Sequence, residues 1–143
     1  MPYPELMTMP MREELTKLGF AELRTPQAVE EAVGALEEEP MLLVVNSICG
    51  CAAGIARPGI ALSLGHPDAP KHLATVFAGL DLEATARARS YFAPHPPSSP
   101  QAAILGKGGR LLFLLQRHEI EGRSAEAIAA RLTAAYEAVR ASA

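Results

Sequence analysis

Hydrophobic residues recur along the chain with two spacings, and the alternation between them outlines an α/β protein. Met41-Leu42-Leu43-Val44-Val45 is an unbroken apolar run between Pro40 and Asn46. It is too short for an ordinary helix and has the make-up of a strand covered on both faces, as in a parallel sheet. Leu73 to Phe77 reads as a second buried strand. Elsewhere the apolar positions fall at helical spacing. Val29, Val33 and Leu36 follow a start signal, Thr25 at N-cap and Pro26 at N1, and the pattern runs up to Pro40. Residues 52–64 read as a helix despite Gly54, Pro58 and Gly59, with Pro58 kinking it and Gly65-His66-Pro67 stopping it. Leu82 to Phe92 reads as a helix opened by Asp81. Ser124 caps a closing helix with Ile128, Leu132, Tyr136 and Val139 on one face.

The remaining segments are shorter. Residues 5–18 read as an amphipathic helix with Leu6, Met9, Leu15 and Leu18 as core contacts, and Pro10 predicts that the helix starts near Met11. Gly19 ends it, and Phe20 to Leu23 follow as a short edge strand. Pro94 to Pro100 is a proline- and serine-rich loop. Ala102 to Leu105, the turn Gly106-Lys107-Gly108-Gly109, and Arg110 to Gln116 form a β-hairpin. The predicted order is strand–helix–strand–helix–hairpin–helix after a helical preamble. Residues 1–143 show no internal repeat and are read as one domain, in line with roughly 100–200 residues per domain.

Composition narrows the class. With 49% apolar and 20% charged residues the chain is neither disordered nor fibrous. Aromatics are 5% and Trp is absent, so aliphatic side chains fill the core. The net charge of −3 does not advertise a nucleic-acid partner. It is uneven: residues 1–40 hold nine acids and three bases, and the rest hold seven and ten. Glu30, Glu31 and Glu37 to Glu39 read as a solvated helix face. No run approaches the roughly 20 apolar residues of a membrane span. Met1-Pro2-Tyr3-Pro4-Glu5 lacks the basic-then-apolar layout of a signal peptide, so the expectation is a cytoplasmic protein, in a compartment that keeps thiols reduced.

The chemistry gathers in Val44-Val45-Asn46-Ser47-Ile48-Cys49-Gly50-Cys51-Ala52-Ala53-Gly54, where a buried strand passes into a helix. Sites in open α/β sheets lie at the carboxyl ends of strands, and a helix N-terminus favours thiolate over thiol. Cys49, nearest the loop, is expected to be the more exposed; Cys51, in the first turn, the more protected; Gly50 gives the freedom to close a very small ring. Other readings of the pair stand beside redox work. A structural disulfide closing about three residues gains under about 2 kcal/mol before strain is subtracted. Two thiolates are half of a tetrahedral zinc site, and none of His66, His72, His95 and His118 lies at ligand spacing from Cys49. Inert core cysteines are common, less so as a pair flanking a glycine at such a junction. The residues favour redox chemistry.

Weaker signals surround it. Pro100, after Ser98-Ser99 and just before a strand, is a candidate cis-proline. Arg57 is either a receptor for an anionic thiol substrate or a solvated side chain. His118, in Arg117-His118-Glu119, is a proton shuttle or an ordinary surface residue. The glycines at 106, 108 and 109 lack the Lys-Ser/Thr of a phosphate loop and are turn residues.

Several stretches together resemble the bacilliredoxins, thioredoxin-like proteins with a Cys-Gly-Cys motif. They are Pro10-Met11-Arg12-Glu13-Glu14-Leu15-Thr16, the cysteine window from Val45 to Gly54, Thr75-Val76-Phe77-Ala78-Gly79, Pro97-Ser98-Ser99-Pro100 and Arg117-His118-Glu119-Ile120-Glu121-Gly122. The resemblance covers almost the whole chain and departs from ordinary thioredoxins, which carry Cys-X-X-Cys. It implies a thioredoxin-like α/β fold, a central mixed β-sheet flanked by helices with an N-terminal helical extension. It also implies that Cys49 attacks the mixed disulfide of a client protein with bacillithiol, and that Cys51, or else another thiol, resolves the adduct. Pro100 is then the cis-proline opposite the cysteines, with the Ser99 backbone and Gly50 available to substrate. Bacillithiol is the thiol co-substrate, no cofactor is tightly bound, and the partners are S-bacillithiolated proteins and a small thiol. Neither nucleic acid nor membrane is expected, and the chain is a monomer or a homodimer. Bacillithiol carries carboxylates, which would give Arg57 a purpose. General disulfide reduction or isomerisation is the alternative, and metal binding through Cys49 and Cys51 a further one.

Overall fold

The computed structural model describes residues 4–142; Met1, Pro2, Tyr3 and Ala143 lie outside the described residues. The apolar run becomes β2 (Met41–Asn46), all six residues buried. It is the middle strand of a five-stranded sheet. On one side β3 (His72–Phe77) pairs with it in parallel, and β1 (Ala21–Glu22), parallel to β3, forms the edge. On the other side β4 (Gln101–Leu105) pairs antiparallel, followed by β5 (Leu111–Leu115), antiparallel to β4. The order β1-β3-β2-β4-β5 and its mixed directions are those of a thioredoxin-like α/β fold.

Alternate residues of β2 feed two cores, which is why the run has no polar position. Leu42 and Val44 pack with Ala102, Ile104 and Leu115 under α1 (Glu5–Thr16), α3 (Arg57–Ser63) and α6 (Ala125–Ala141), through Leu15, Ile60 and Leu132. Met41, Leu43 and Val45 pack with Ala74, Val76 and Ala103 under α2 (Pro26–Gly34) and α4 (Leu82–Ser90). The caps expected at Thr25 and Ser124 form, each side chain accepting from the backbone N–H three residues on. The glycine turn closes between Gly106 and Arg110, with Gly108 and Gly109 at positive φ.

Four local expectations give way to tertiary contacts. Helix α1 runs through Pro10 instead of starting after it. Local propensity is outweighed by Arg12, whose buried guanidinium bonds Glu22 at 2.9 Å and Asp81 at 2.8 Å and lies 5.1 Å from the Phe77 ring centre. Of the core contacts expected on α1, Leu15 is buried and Leu18 packs at the core's edge, whereas Leu6 and Met9 are exposed. Asp81 sits at the N-cap of α4 but makes no cap bond, because its carboxylate binds Arg12. Helix α2 ends at Gly34, leaving Glu37 to Glu39 in the loop before β2, and α5 (Arg117–Ile120) is a helix the periodicity was too short to reveal.

Helices α3 and α6 meet where Gly59 removes a side chain. A Cβ at Gly59 would lie 2.9 Å from the Ala125 carbonyl oxygen and from Ile128. Gly59→Ala is therefore expected to destabilise the protein by about 1–3 kcal/mol in urea unfolding. Gly54→Ala, where a Cβ meets nothing within 4 Å, serves as the control and should match or exceed the parent, since Gly costs about 0.5–1 kcal/mol in a helix.

Candidate active site

Strand β2 ends at Asn46, and Ser47 and Ile48 carry the chain to Cys49. The Cys49 carbonyl accepts the Ala52 and Ala53 N–H groups at 3.1 and 3.2 Å, so the helical turns begin at Gly50 with Cys49 as the N-cap residue. An N-cap side chain receives backbone N–H groups that have no partner inside the helix. Here that side chain is a thiol. The segment Ala52–Ala56 is a π turn, in which the Arg57 N–H bonds the Ala52 carbonyl five residues back, and α3 follows without a break. The kink expected from Pro58 takes this form: the wider turn makes room for a ring that would otherwise press on the carbonyl four residues earlier.

The two thiols are free and half-buried, and their surroundings push them in opposite directions. Burial raises the pKa of Cys49, but the Ser47 hydroxyl, the Ala52 and Cys51 backbone N–H groups and the charge of Arg117 outweigh it, and the net shift is downward. Burial also raises Cys51; the Cys49 and Glu121 charges add to it, Arg117 offsets part, and the net shift is upward. Both thiols share one helix end, so the difference comes from the hydrogen bonds aimed at Cys49 on one side and from the Cys49 and Glu121 charges acting on Cys51 on the other. Exposure of Gly50 leaves the turn between them open to an approaching group. Its φ is not positive and a Cβ there would meet nothing within 4 Å, so the free-thiol form does not itself demand glycine.

The segment Ser98-Ser99-Pro100 joins this end of the sheet through the register of β4. Gln101 pairs with Val45, which places Ser99 and Pro100 beside the end of β2 from which the cysteine loop leaves. The Ser99–Pro100 peptide is cis, as is Ala93–Pro94. A polar cluster holds the loop: Arg89 donates to the Ser98 carbonyl at 2.6 Å, and the Ser98 hydroxyl and the Gln101 amide each donate to Gln116 Oε1 at 2.7 Å. Arg117, the first residue of α5, receives support from the Ser98 hydroxyl at its N–H and extends Nη1 to the Ser99 carbonyl at 3.4 Å. Its Nε bonds Glu121. This half-exposed cation therefore bridges the proline loop and the cysteines. It lay within the Arg117-His118-Glu119 stretch, where attention fell on His118, which is exposed.

Arg57 departs from both expectations. It is neither solvated nor turned toward a substrate, being 4% exposed. Nε bonds Glu14 of α1 at 2.5 Å, and Nη1 donates to Asn46 Oδ1 at 2.9 Å and to the Ser47 carbonyl at 2.8 Å. It lies under the cysteine loop because the π turn and α3 fold back over the end of β2. Among the described residues no group of three or more His, Cys, Asp or Glu side chains is arranged to hold a metal ion, and His66 instead pairs with Glu137 beyond the far end of α3.

A mixed sheet of this order, with a thiol capping the helix after its central strand and a second thiol two residues on, defines a thioredoxin-like redox protein. Comparison with known proteins carries this further. The family model described as Disulphide isomerase matches residues 3–139. A bacilliredoxin of Cytophaga hutchinsonii is 51% identical over 94% of this chain and 98% of its own length. One of Salinibacter ruber is 52% identical over 96% and 81%, and one of Halalkalibacterium halodurans 51% over 94% and 92%. The chain belongs to the bacilliredoxin family, and its activity is that of a thiol–disulfide oxidoreductase.

The opposed pKa directions predict the order of modification. With limiting iodoacetamide at neutral pH, Cys49 is alkylated before Cys51, as read by peptide mass. Thiolate is the reactive form, so Cys49 alkylation should reach its plateau at lower pH than an ordinary thiol. Arg117→Gln withdraws a half-exposed charge. An exposed charge is strongly screened, so the Cys49 alkylation rate at pH 7 should fall modestly, and less in high salt.

Proposed function

We propose that the protein removes bacillithiol from S-bacillithiolated proteins, with Cys49 as the attacking thiolate and Cys51 as the resolving thiol. The observation that carries this reading is the match to bacilliredoxins at about half identity over nearly the whole chain, and the opposite bias on the two thiols, one toward thiolate and the other toward thiol, supports the division of roles. In the first step Cys49 Sγ attacks the bacillithiol sulfur of the mixed disulfide. A Cys49–bacillithiol disulfide forms, the client–bacillithiol bond breaks, and the client leaves as thiolate. In the second step Cys51, after losing its proton, attacks Cys49 Sγ. The Cys49–Cys51 disulfide forms and bacillithiol leaves as thiolate; an external thiol reductant then returns the enzyme's disulfide to two thiols and is itself oxidised to a disulfide.

Electrostatics supports the sequence of these steps. The Cys49 charge is one of the groups that keep Cys51 protonated. Forming the adduct removes that charge, so Cys51 ionises more readily once there is an adduct to resolve. Gly50, Ser99 and Pro100 are the backbone against which the substrate disulfide lies, and Arg117 is the cation available to it. The family's description as Disulphide isomerase favours a second reading, disulfide isomerisation in proteins, which uses the same first thiolate. Both readings fit a compartment whose thiols are kept reduced.

Removal of bacillithiol from a model client, followed by intact-protein mass spectrometry, tests the assignment. Cys49→Ala should abolish removal. Cys51→Ala should release the client and accumulate a protein carrying one bacillithiol on Cys49. An adduct on Cys51 would reverse the roles, and a wild-type protein that reshuffles protein disulfides while leaving the bacillithiol adduct intact would select isomerisation.

A further inference from the structure

We propose that Arg57, braced by Glu14 of the N-terminal helix, is a positioning residue for Cys49: it locks the Asn46-Ser47 turn from which the Ser47 hydroxyl reaches the nucleophile. The proposal rests on the family's thiolate chemistry alone, whichever mixed disulfide is the substrate.

A chain of short contacts carries it. Asn46 and Ser47 are buried, and the polar groups of the turn are held by Arg57, by α1 and by one another. The Arg57 guanidinium donates to Asn46 Oδ1 at 2.9 Å and to the Ser47 carbonyl at 2.8 Å. Asn46 Oδ1 also accepts the Ser47 N–H at 2.9 Å, and Asn46 Nδ2 donates to the Met11 carbonyl of α1 at 3.1 Å. The Ser47 backbone is thereby fixed at both its N–H and its carbonyl, leaving the hydroxyl aimed along the loop. That hydroxyl accepts the Cys49 N–H at 3.0 Å, which fixes the backbone of the nucleophile, and its dipole is one of the influences that favour the thiolate. A planar guanidinium suits this task because two acceptors of fixed direction must be held together, which a lysine ammonium does not pre-organise.

Burying a cation here requires a counter-charge, and Glu14 supplies it from α1, with its own side chain 42% exposed. The N-terminal helix thus enters the site twice, through Glu14 and through the Met11 carbonyl. The groups that face Cys49 directly are distinct from this brace: Arg117 from α5, Cys51 on the same turn and, beyond Cys51, Glu121.

The test uses the full chain with Cys51→Ser, so that one thiol titrates, and reads thiolate absorbance against pH. Glu14→Ala separates the two ways the pair can act, because it keeps helix propensity and gives them opposite signs. Taking away a negative charge through space favours the thiolate and moves the midpoint down. Releasing Arg57, and with it Ser47, moves it up. The expected result is an upward midpoint for both Glu14→Ala and Arg57→Lys. The Cys49 thiolate fraction at pH 7 should fall by about three- to tenfold, while Glu14→Gln, which keeps an acceptor oxygen but loses the counter-charge, should lie between Glu14→Ala and the parent. A midpoint that falls or stays put in Glu14→Ala overturns the proposal and leaves Arg57–Glu14 a structural ion pair. Helix content by circular dichroism verifies that each variant is folded, and Glu14→Ala keeps the proposal falsifiable even where Arg57→Lys does not fold.

Discussion

The complete burial of β2 is the constraint from which the site follows. A strand with a neighbour on each edge and a core on each face has no polar group to spare along its length, so chemistry is confined to its carboxyl end. That end must also release the chain from the sheet, and the backbone groups freed there need partners in a place with little water. Asn46 meets both needs, its amide reaching α1 on one side and accepting from Arg57 and Ser47 on the other. The helix that starts four residues later presents its own unpaired N–H groups, and a cysteine stands at the cap where they converge.

Two arginines serve the same thiolate by different physics. Arg117 is half-exposed and acts as charge, so its influence is modest and screened by salt. Arg57 is buried and already neutralised by Glu14, so its value is geometric: it holds dipoles in place instead of supplying a field. The division matters for a redox enzyme, whose nucleophile must be stabilised as thiolate yet remain reactive toward sulfur. Hydrogen bonds from Ser47 and two backbone N–H groups favour the anion without sequestering it, and the Cys49 charge in turn holds Cys51 in reserve.

The legible parts of the fold were those encoded by contiguous pattern. The strands at 41–46 and 72–77, the hairpin, the caps at Thr25 and Ser124 and the turn glycines follow from spacing and residue type, because backbone satisfaction and two-sided burial leave few alternatives. Pro10, Asp81 and Arg57 were misread for one shared reason. Each has a local preference, as helix breaker, cap and solvated cation, and each is overridden by a partner distant in sequence. Asp81 abandons its cap for Arg12, 69 residues away, and Arg57 turns inward to Glu14, 43 residues away.

The sequence by itself determined that two thiols stand between a buried strand and a helix, at the carboxyl end of the sheet where such folds expose their chemistry. Tertiary structure decided how the two thiols differ. Nothing in a run of Cys, Gly and Cys distinguishes its ends; the Ser47 hydroxyl and backbone N–H groups acting on Cys49 and the Glu121 charge acting on Cys51 do so, and the packing of α1 and α5 around the end of β2 brings them within reach. Electrostatic and hydrogen-bond effects of this kind depend on distance and direction in space, and spacing along the chain carries neither.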